Sequence, residues 1–257
     1  MFKWLKSRRR EEPQVDFAPI REDAIAPALP FYAIGDIHGC LPQLERLLTQ
    51  IAERRHQGEP LVFVGDTLDR GAQSAQVLQL VFELVQADPQ STMLLLGNHE
   101  KMLLEFIDDP AGRGARWLVN GGRETLRSFG ISELPRKPDA EDATEAADAL
   151  EAAMPSGMQE WLRALPMRWS SGNVHCVHAG MNPERSPEDQ SERSLIWGHP
   201  AFLNCARSDG QFVVHGHTIV AKPNLTEGRI SIDTGAFKNR PLTAAYVSQR
   251  QVEFLQA

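Results

Sequence analysis

Two aspartates stand three apart in FVGDTLDRG (63–71), Asp66 behind Gly65 and Asp69 ahead of Arg70 and Gly71. Related clusters recur along the chain. GDIHG (35–39) carries Asp36 and His38, GNHE (97–100) carries Asn98 and His99, and HAG (178–180) and HGHT (215–218) add His178, His215 and His217. Carboxylates massed at one place repel one another and raise each other's pKa. Interleaved with imidazole and carboxamide, they instead form a donor set for divalent cations. The mixture suits Mn, Fe or Zn better than an all-oxygen Ca or Mg cage. The supply exceeds what one ion needs, and two ions sharing a bridging carboxylate would use it well. Glycines beside the polar residues fit tight turns and close backbone approach.

The segments in front of these clusters must position them. FYAIG (31–35), LVFVG (61–65) and TMLLLG (92–97) are apolar runs closed by Gly and read as buried strands. Leu41, Leu44, Leu47, Leu48 and Ile51 follow the first at helical spacing, with Pro42 near the helix start. Val77, Leu80, Val81, Leu84 and Val85 follow the second, and a third helix begins at 99–107. This alternation predicts parallel pairing with right-handed crossovers. In such sheets ligands bind at the carboxyl ends of the strands, which would aim Asp36, His38, Asp66, Asp69, Asn98 and His99 at one place. Residues 113–129 read as helical on both sides of a turn. Residues 139–151, six acids among alanines, read as a helix with a solvated face and a weak stripe of Ala143, Ala147, Leu150 and Met154. Later strands at 173–178, 211–216, 229–233, 242–247 and 251–255 are expected to supply a second sheet of the same domain.

The chain has 257 residues and 42% hydrophobic content, enough for one large domain with a sizeable core. Residues 1–30 hold Pro13, Pro19, Pro27 and Pro30 without periodicity and read as an extended or disordered arm, leaving 31–257 as the domain. Cys40, Cys176 and Cys205 form no paired motif, which points to a reducing, cytoplasmic setting. No stretch approaches the roughly 20 apolar residues of a membrane span. MFKWLKSRRR (1–10) lacks the apolar run of a secretory signal. Net charge is −7, and five of the 27 basic residues lie in the first ten, so the remainder stands at 22 − 34 = −12. Such a body argues against a nucleic-acid partner.

GDIHG, GDTLDRG and GNHE, then HAG and GHT, with WLVNGG (117–122) and IDTGA (232–236), resemble the calcineurin-like metallophosphoesterases, specifically the Ser/Thr protein phosphatase branch with its bacterial and phage members. The resemblance implies an α/β fold, a four-layer α-β-β-α sandwich with two mixed sheets and a dinuclear metal site at the strand ends. It implies Asp36, His38 and Asp66 on one ion, and Asp66 as the bridge to a second held by Asn98, His178 and His217. The two divalent ions are expected to be Mn in vitro, with Fe or Zn as alternatives. A hydroxide bridging them would attack phosphorus in line. His99 would protonate the leaving oxygen, oriented by Asp69, and Arg70 would grip the phosphoryl oxygens. The pattern selects His217 over His215 and His178 over His175, leaving His175 and His215 to structural roles.

One departure concerns the substrate. Relatives place a second phosphate-binding Arg two residues after a Trp, whereas LIWGHP (195–200) puts His199 there. Either His199 contacts phosphate, or Arg123, Arg193 or Arg207 substitutes, or the clamp is weaker. The expected activity is a metal-dependent phosphomonoesterase acting on phosphoserine or phosphothreonine in proteins. The alternative is a hydrolase of dinucleoside polyphosphates or another nucleotide-linked small phosphoester. Relatives that cleave dinucleoside polyphosphates symmetrically lack the Asp of DRG, so Asp69 favours the protein phosphatase branch. A non-catalytic binding module would have lost a ligand or the acid, and none is missing.

Overall fold

The computed structural model describes residues 24–257. In chain order the strands are β1 (Phe31–Ile34), β2 (Leu61–Phe63), β3 (Thr92–Leu94), β4 (Arg168–Ser171), β5 (Val174–Val177), β6 (Phe212–His215), β7 (Asn224–Thr226), β8 (Arg229–Ser231), β9 (Thr243–Ser248) and β10 (Gln251–Gln256). The helices are α1 (Leu41–Ala52), α2 (Ser74–Ala87), α3 (Asn98–Asp108), α4 (Gly114–Trp117), α5 (Arg123–Ser128), α6 (Ala140–Ala153), α7 (Met158–Arg163) and α8 (Glu192–Trp197). Two five-stranded mixed sheets result, ordered β10-β9-β1-β2-β3 and β4-β5-β6-β8-β7. In the first, β1, β2 and β3 are parallel, as the strand–helix alternation requires, and β9 and β10 run antiparallel beyond β1. In the second, β5, β6 and β8 are parallel, with β4 and β7 antiparallel at the edges.

Side-chain parity assigns the faces. Phe31, Ala33, Val62 and Val64 meet Val174, Cys176, Phe212 and Val214 in the apolar layer between the sheets. Tyr32, Ile34, Leu61 and Phe63, on the alternate positions, face Leu44, Leu47, Val77 and Val81 of α1 and α2. The acidic helix α6 buries Ala143, Ala146, Ala147 and Leu150 and exposes most of its acids, consistent with the stripe read from its spacing.

Three features differ from the sequence reading. β9 and β10 complete the first sheet rather than the second, because β1 pairs with β9 on the side away from β2. The edge strands β4 and β7 carry RWSS and NLT, which show no apolar alternation to reveal them. Residues 24–30, counted with the arm, run without regular structure but are fastened to the body. Ile25 is buried between the sheets, and its carbonyl accepts the Arg250 N–H at 2.9 Å. Asn173 Oδ1 accepts Ala26 N–H at 2.7 Å, and Ser171 Oγ both accepts from and donates to the Leu29 backbone at 3.0 Å. The rest of the arm, 1–23, lies outside the described residues. Among the described residues no helix is long and apolar enough to cross a membrane.

Ile25→Ala should therefore destabilise the protein by about 2–4 kcal/mol, the range for a buried aliphatic truncation. Leu29→Ala, at an exposed position, should change stability little. Urea denaturation of both variants checks the contrast, and equal midpoints would remove the 24–30 segment from the core.

Candidate active site

The loops after β2 and β3 touch at glycine. A Cβ on Gly65 would lie 2.7 Å from Gly97 Cα, and one on Gly97 would lie 2.4 Å from Asp66 Oδ1, so neither position has room for a side chain. The contact is held by Glu100, which is fully buried in the first turn of α3. Its Oε2 accepts the N–H groups of Asp66 at 2.9 Å and Gly97 at 3.1 Å. Its Oε1 accepts the Thr67 N–H and hydroxyl, both at 2.7 Å. Glu100 thus locks the Asp66 loop to the Asn98–His99 loop. Among the described residues, five of the eight non-glycine residues with left-handed backbone are His38, Asp66, Asp69, Arg70 and His217. Such conformations cost roughly 1–3 kcal/mol each and persist where the surroundings over-determine them.

Asp36, His38, Asp66, Asn98, His99, His178 and His217 converge on one place. Asp66 is the shared member of two groups able to hold a cation, one with His38 and His99 and one with His178 and His217. Within each group the ligand atoms lie within 4.8 Å of one another. Asp36 joins the first group, its Oδ2 lying 4.0 Å from His38 Nε2, and both its oxygens accept the His217 N–H at 3.1 Å. The tautomers follow from the backbone. His38 Nδ1–H donates to Leu68 O at 2.8 Å and His178 Nδ1–H to Val64 O at 3.0 Å. The free Nε2 lone pair of His178 consequently faces Asn98 Oδ1 at 2.8 Å and Asp66 Oδ1 at 3.4 Å, and His217 Nδ1 faces the same Asn98 oxygen at 2.7 Å. Lone pairs converging in a buried place repel unless a cation lies between them, so this donor set fits divalent metals.

Electrostatics point the same way. Burial, then the carboxylates of Asp233 and Asp66, pushes Asp36 well above the carboxylate range. Burial, then Glu100, does the same to Asp66. Burial, then the Arg70 cation, drives His38 down to about 3, and burial puts His178 well below its ordinary value. Neutral imidazole is the form that ligates, and a cation would reverse the carboxylate shifts.

Beside the cluster lies a second unit. His99 Nδ1–H donates to Asp69 Oδ2 at 2.6 Å, and Arg70 donates to His99 Nε2 at 3.0 Å and His38 Nε2 at 3.1 Å. Asp69 is fully buried and heavily solvated by protein: the Trp117 indole N–H donates to both its oxygens at 2.9 and 3.1 Å, and the Thr125 hydroxyl to Oδ1 at 2.6 Å. Burial pushes Asp69 up and His99 down, so the dyad keeps its proton between Nδ1 and Oδ2. Trp117 and Thr125 come from the two sides of a kink between helices, in Leu118–Gly122, where Gly121 has φ 116°. The Arg70 guanidinium lies 4.7 Å above the Phe237 ring.

The remaining sequence candidates separate. His175 hydrogen-bonds Ser170 and Gln211, and His215 is buried between Gly216 O and Ser231 Oγ, both away from the cluster. His199 is half-buried and lines a cavity of about 560 Å³ together with His217 and Arg193. The Arg123 guanidinium is engaged by the carbonyls of Leu134, Pro135 and Arg136, and Arg207 by Asp209 and two carbonyls. Of the three arginines considered as substitutes, Arg193 is the one on that cavity. Glu100, Trp117, Thr125 and Phe237 were not assigned from sequence. Glu100 had a local signal, an acid three residues after a helix-capping Gly, and Trp117 opens the WLVNGG motif, though nothing local tied it to Asp69.

Glu100→Gln places an amide NH₂ against backbone N–H donors in either orientation. It should cost about 1–3 kcal/mol, the penalty for a buried group left unsatisfied. Thermal denaturation in the presence of a chelator tests this apart from any metal effect. An unchanged Tm would remove Glu100 as the lock.

The sequence pattern described as calcineurin-like phosphoesterase matches residues 29–231. The chain is similar to an asymmetrical bis(5'-nucleosyl)-tetraphosphatase, PrpE, of Oceanobacillus iheyensis, 27% identical over 233 residues that cover 82% of this chain and 86% of the relative. A symmetrical bis(5'-nucleosyl)-tetraphosphatase of Methylococcus capsulatus is 30% identical over 163 residues, 63% of this chain and 47% of the relative. Among solved structures, a protein serine/threonine phosphatase from Saccharomyces cerevisiae has a TM-score of 0.59 at 14% identity, covering 91% of this chain and 84% of that one, a likeness of fold. With its two mixed sheets and the His/Asp cluster at their strand ends, the chain belongs to the calcineurin-like phosphoesterase family.

Proposed function

We propose that this protein is a metal-dependent phosphohydrolase whose substrate is a dinucleoside polyphosphate, cleaved asymmetrically by addition of water across a P–O–P bridge. The observation that carries the substrate class is the likeness to the asymmetrical tetraphosphatase along most of both chains. The symmetrical relative matches over about half its own length. The Ser/Thr protein phosphatase, the leading expectation from the motifs, has weaker support, since likeness to such an enzyme is confined to fold.

In this reading Asp36, His38 and Asp66 hold one divalent cation, and Asp66, Asn98, His178 and His217 the other. Bound there, the pair would neutralise the phosphoryl oxygens and lower the pKa of a water nucleophile. His99 is kept for proton transfer, because its Nδ1 is committed to Asp69 and only Nε2 is free to meet a leaving oxygen. Arg70, exposed at the mouth, holds that Nε2 and the His38 ring. On substrate binding it turns to the equatorial phosphoryl oxygens as charge builds there, freeing Nε2 to take up the proton that the attacking water loses and hand it to the leaving oxygen. His199, which lines a cavity together with His217, would support the phosphate chain there.

With Mn(II), a dinucleoside tetraphosphate should give one nucleoside triphosphate and one monophosphate, resolved by ion-exchange chromatography. Two diphosphates, or a higher kcat/KM on a phosphoserine peptide, would overturn the substrate assignment. His99→Asn should reduce kcat by about 10²–10⁴-fold on an alkyl phosphate, whose alkoxide needs the proton, and far less on an aryl phosphate or a polyphosphate. A uniform loss across leaving groups would give His99 a metal-positioning role instead.

Metal binding should depend on pH with a defined sign. Protonated Asp36 and Asp66 have raised pKa values in the folded state. Their contribution to metal-free stability is therefore full below the ordinary carboxylate range and lost as pH rises through the raised values. A bound cation replaces those protons, so the rise in Tm produced by saturating Mn(II) should grow between mildly acidic and neutral pH. A shift independent of pH in calorimetry would argue against these carboxylates as ligands.

A further inference from the structure

The cavity beside His217 does not end at His199. Arg193 and Trp197, both on α8, line it and also line a second cavity of about 540 Å³ that continues to Lys101 and Arg116. The position of α8 relative to the cluster is fixed by the Ala179 N–H, next to His178, which donates to Leu195 O at 2.8 Å. The two cavities therefore form one groove leading away from the proposed metal site, with Arg193 and Trp197 at its midpoint.

The charges along the groove are unevenly compensated. Glu192 is engaged by Lys101 at 3.1 Å, and Glu105 lies 3.8 Å from Arg113 on the neighbouring turn. Among the described residues neither Arg193 nor Arg116 makes an ion pair. The Arg116 guanidinium instead lies 3.9 Å over the Trp197 ring, and that half-buried indole faces both cavities. Two uncompensated guanidiniums flanking an aromatic platform, on a chain of net charge −7, form a local site for an anion attached to a flat ring. Phosphate oxygens suit the guanidinium fork of Arg193, and a nucleobase suits the guanidinium–indole stack of Arg116 and Trp197.

We propose that this groove is the distal subsite for the half of the substrate remote from the attacked phosphorus. Arg193 takes the anionic bridge as it leaves the metal cluster, and Arg116 with the Trp197 indole takes the far phosphate and its nucleoside. The assignment rests on the dinucleoside polyphosphate reading above and names the residues that would distinguish such a ligand from a simple phosphomonoester. It adds no chemical step: the subsite positions substrate, and the proton transfers remain at His99.

The test compares competitive inhibitors of aryl phosphate hydrolysis at fixed free Mn(II). One is inorganic phosphate, and the other is a methylene-bridged, non-hydrolysable dinucleoside tetraphosphate analogue. In wild type the analogue should bind about 100-fold more tightly than phosphate. In the double variant Arg116→Gln/Arg193→Gln that ratio should fall by about tenfold or more. Trp197→Phe, which keeps a ring, should retain more of the ratio than Trp197→Leu. Both arginines are solvent-exposed, so the double variant should fold, and an unaltered Tm establishes that it does. A wild-type ratio near one, or the same ratio in wild type and double variant, overturns the subsite. Turnover is scored separately. Inhibition that depends on the arginines, without cleavage of the natural tetraphosphate, would sink the proposed activity and leave the subsite standing. Cleavage with an arginine-independent ratio would do the reverse.

Discussion

Glu100, which has no exposed surface, accepts four hydrogen bonds, and the arrangement of the strand ends depends on it. Without an acceptor for the N–H groups of Asp66, Thr67 and Gly97, the loops after β2 and β3 would have no means of meeting at glycine contact. Buried donors left unpaired would also cost more than the contact returns. The lock places Asp66 in a left-handed conformation, with its carboxylate between His38 and His178. The same short helical turn carries Asn98, His99 and Glu100, so one helix start contributes a cluster residue, the histidine of the Asp69–His99 pair and the lock.

A second constraint follows from burial. The cluster contains more acceptors than protons can satisfy at neutral pH, and burial drives carboxylates toward their acid forms and imidazoles toward their neutral forms. A folded protein tolerates such a set where a cation is to occupy it, so folding stability and metal binding are linked through the same residues. The two accessible points of the cluster are Arg70 and His217, which define where a phosphoryl group can enter and where the rest of a substrate must lie.

The Asp69–His99 unit stands apart from this logic. Its anchors, Trp117 and Thr125, lie in the helical insertion between β3 and β4 rather than in either sheet. The kink between them, with Gly121 at positive φ, turns the chain so that both side chains reach one carboxylate. The scaffold thus fixes the His/Asp cluster by strand ends and the Asp69–His99 pair by an inserted helical pair.

The parallel β1–β2–β3 core and the convergence of Asp36, His38, Asp66, Asn98 and His99 were legible from local properties of the chain: apolar runs closed by glycine, helical spacing, and polar residues placed just after a strand. His178 and His217 were separated from His175 and His215 only by the resemblance to the family, since His215 and His217 share the same parity at one strand end. Tertiary structure alone decided the rest. β9 returns to the first sheet, Ile25 enters the inter-sheet core, Trp117 and Thr125 reach Asp69 from about fifty residues away, and Arg193 rather than Arg123 or Arg207 faces the cavity of His217. Each depends on which groups remain uncommitted after the chain has folded. Arg123 and Arg207 carry the same guanidinium as Arg193, but carbonyls and a carboxylate distant in sequence have already claimed theirs. A residue's type can be read from the chain, whereas its unfilled hydrogen-bonding capacity is a property of the packed molecule.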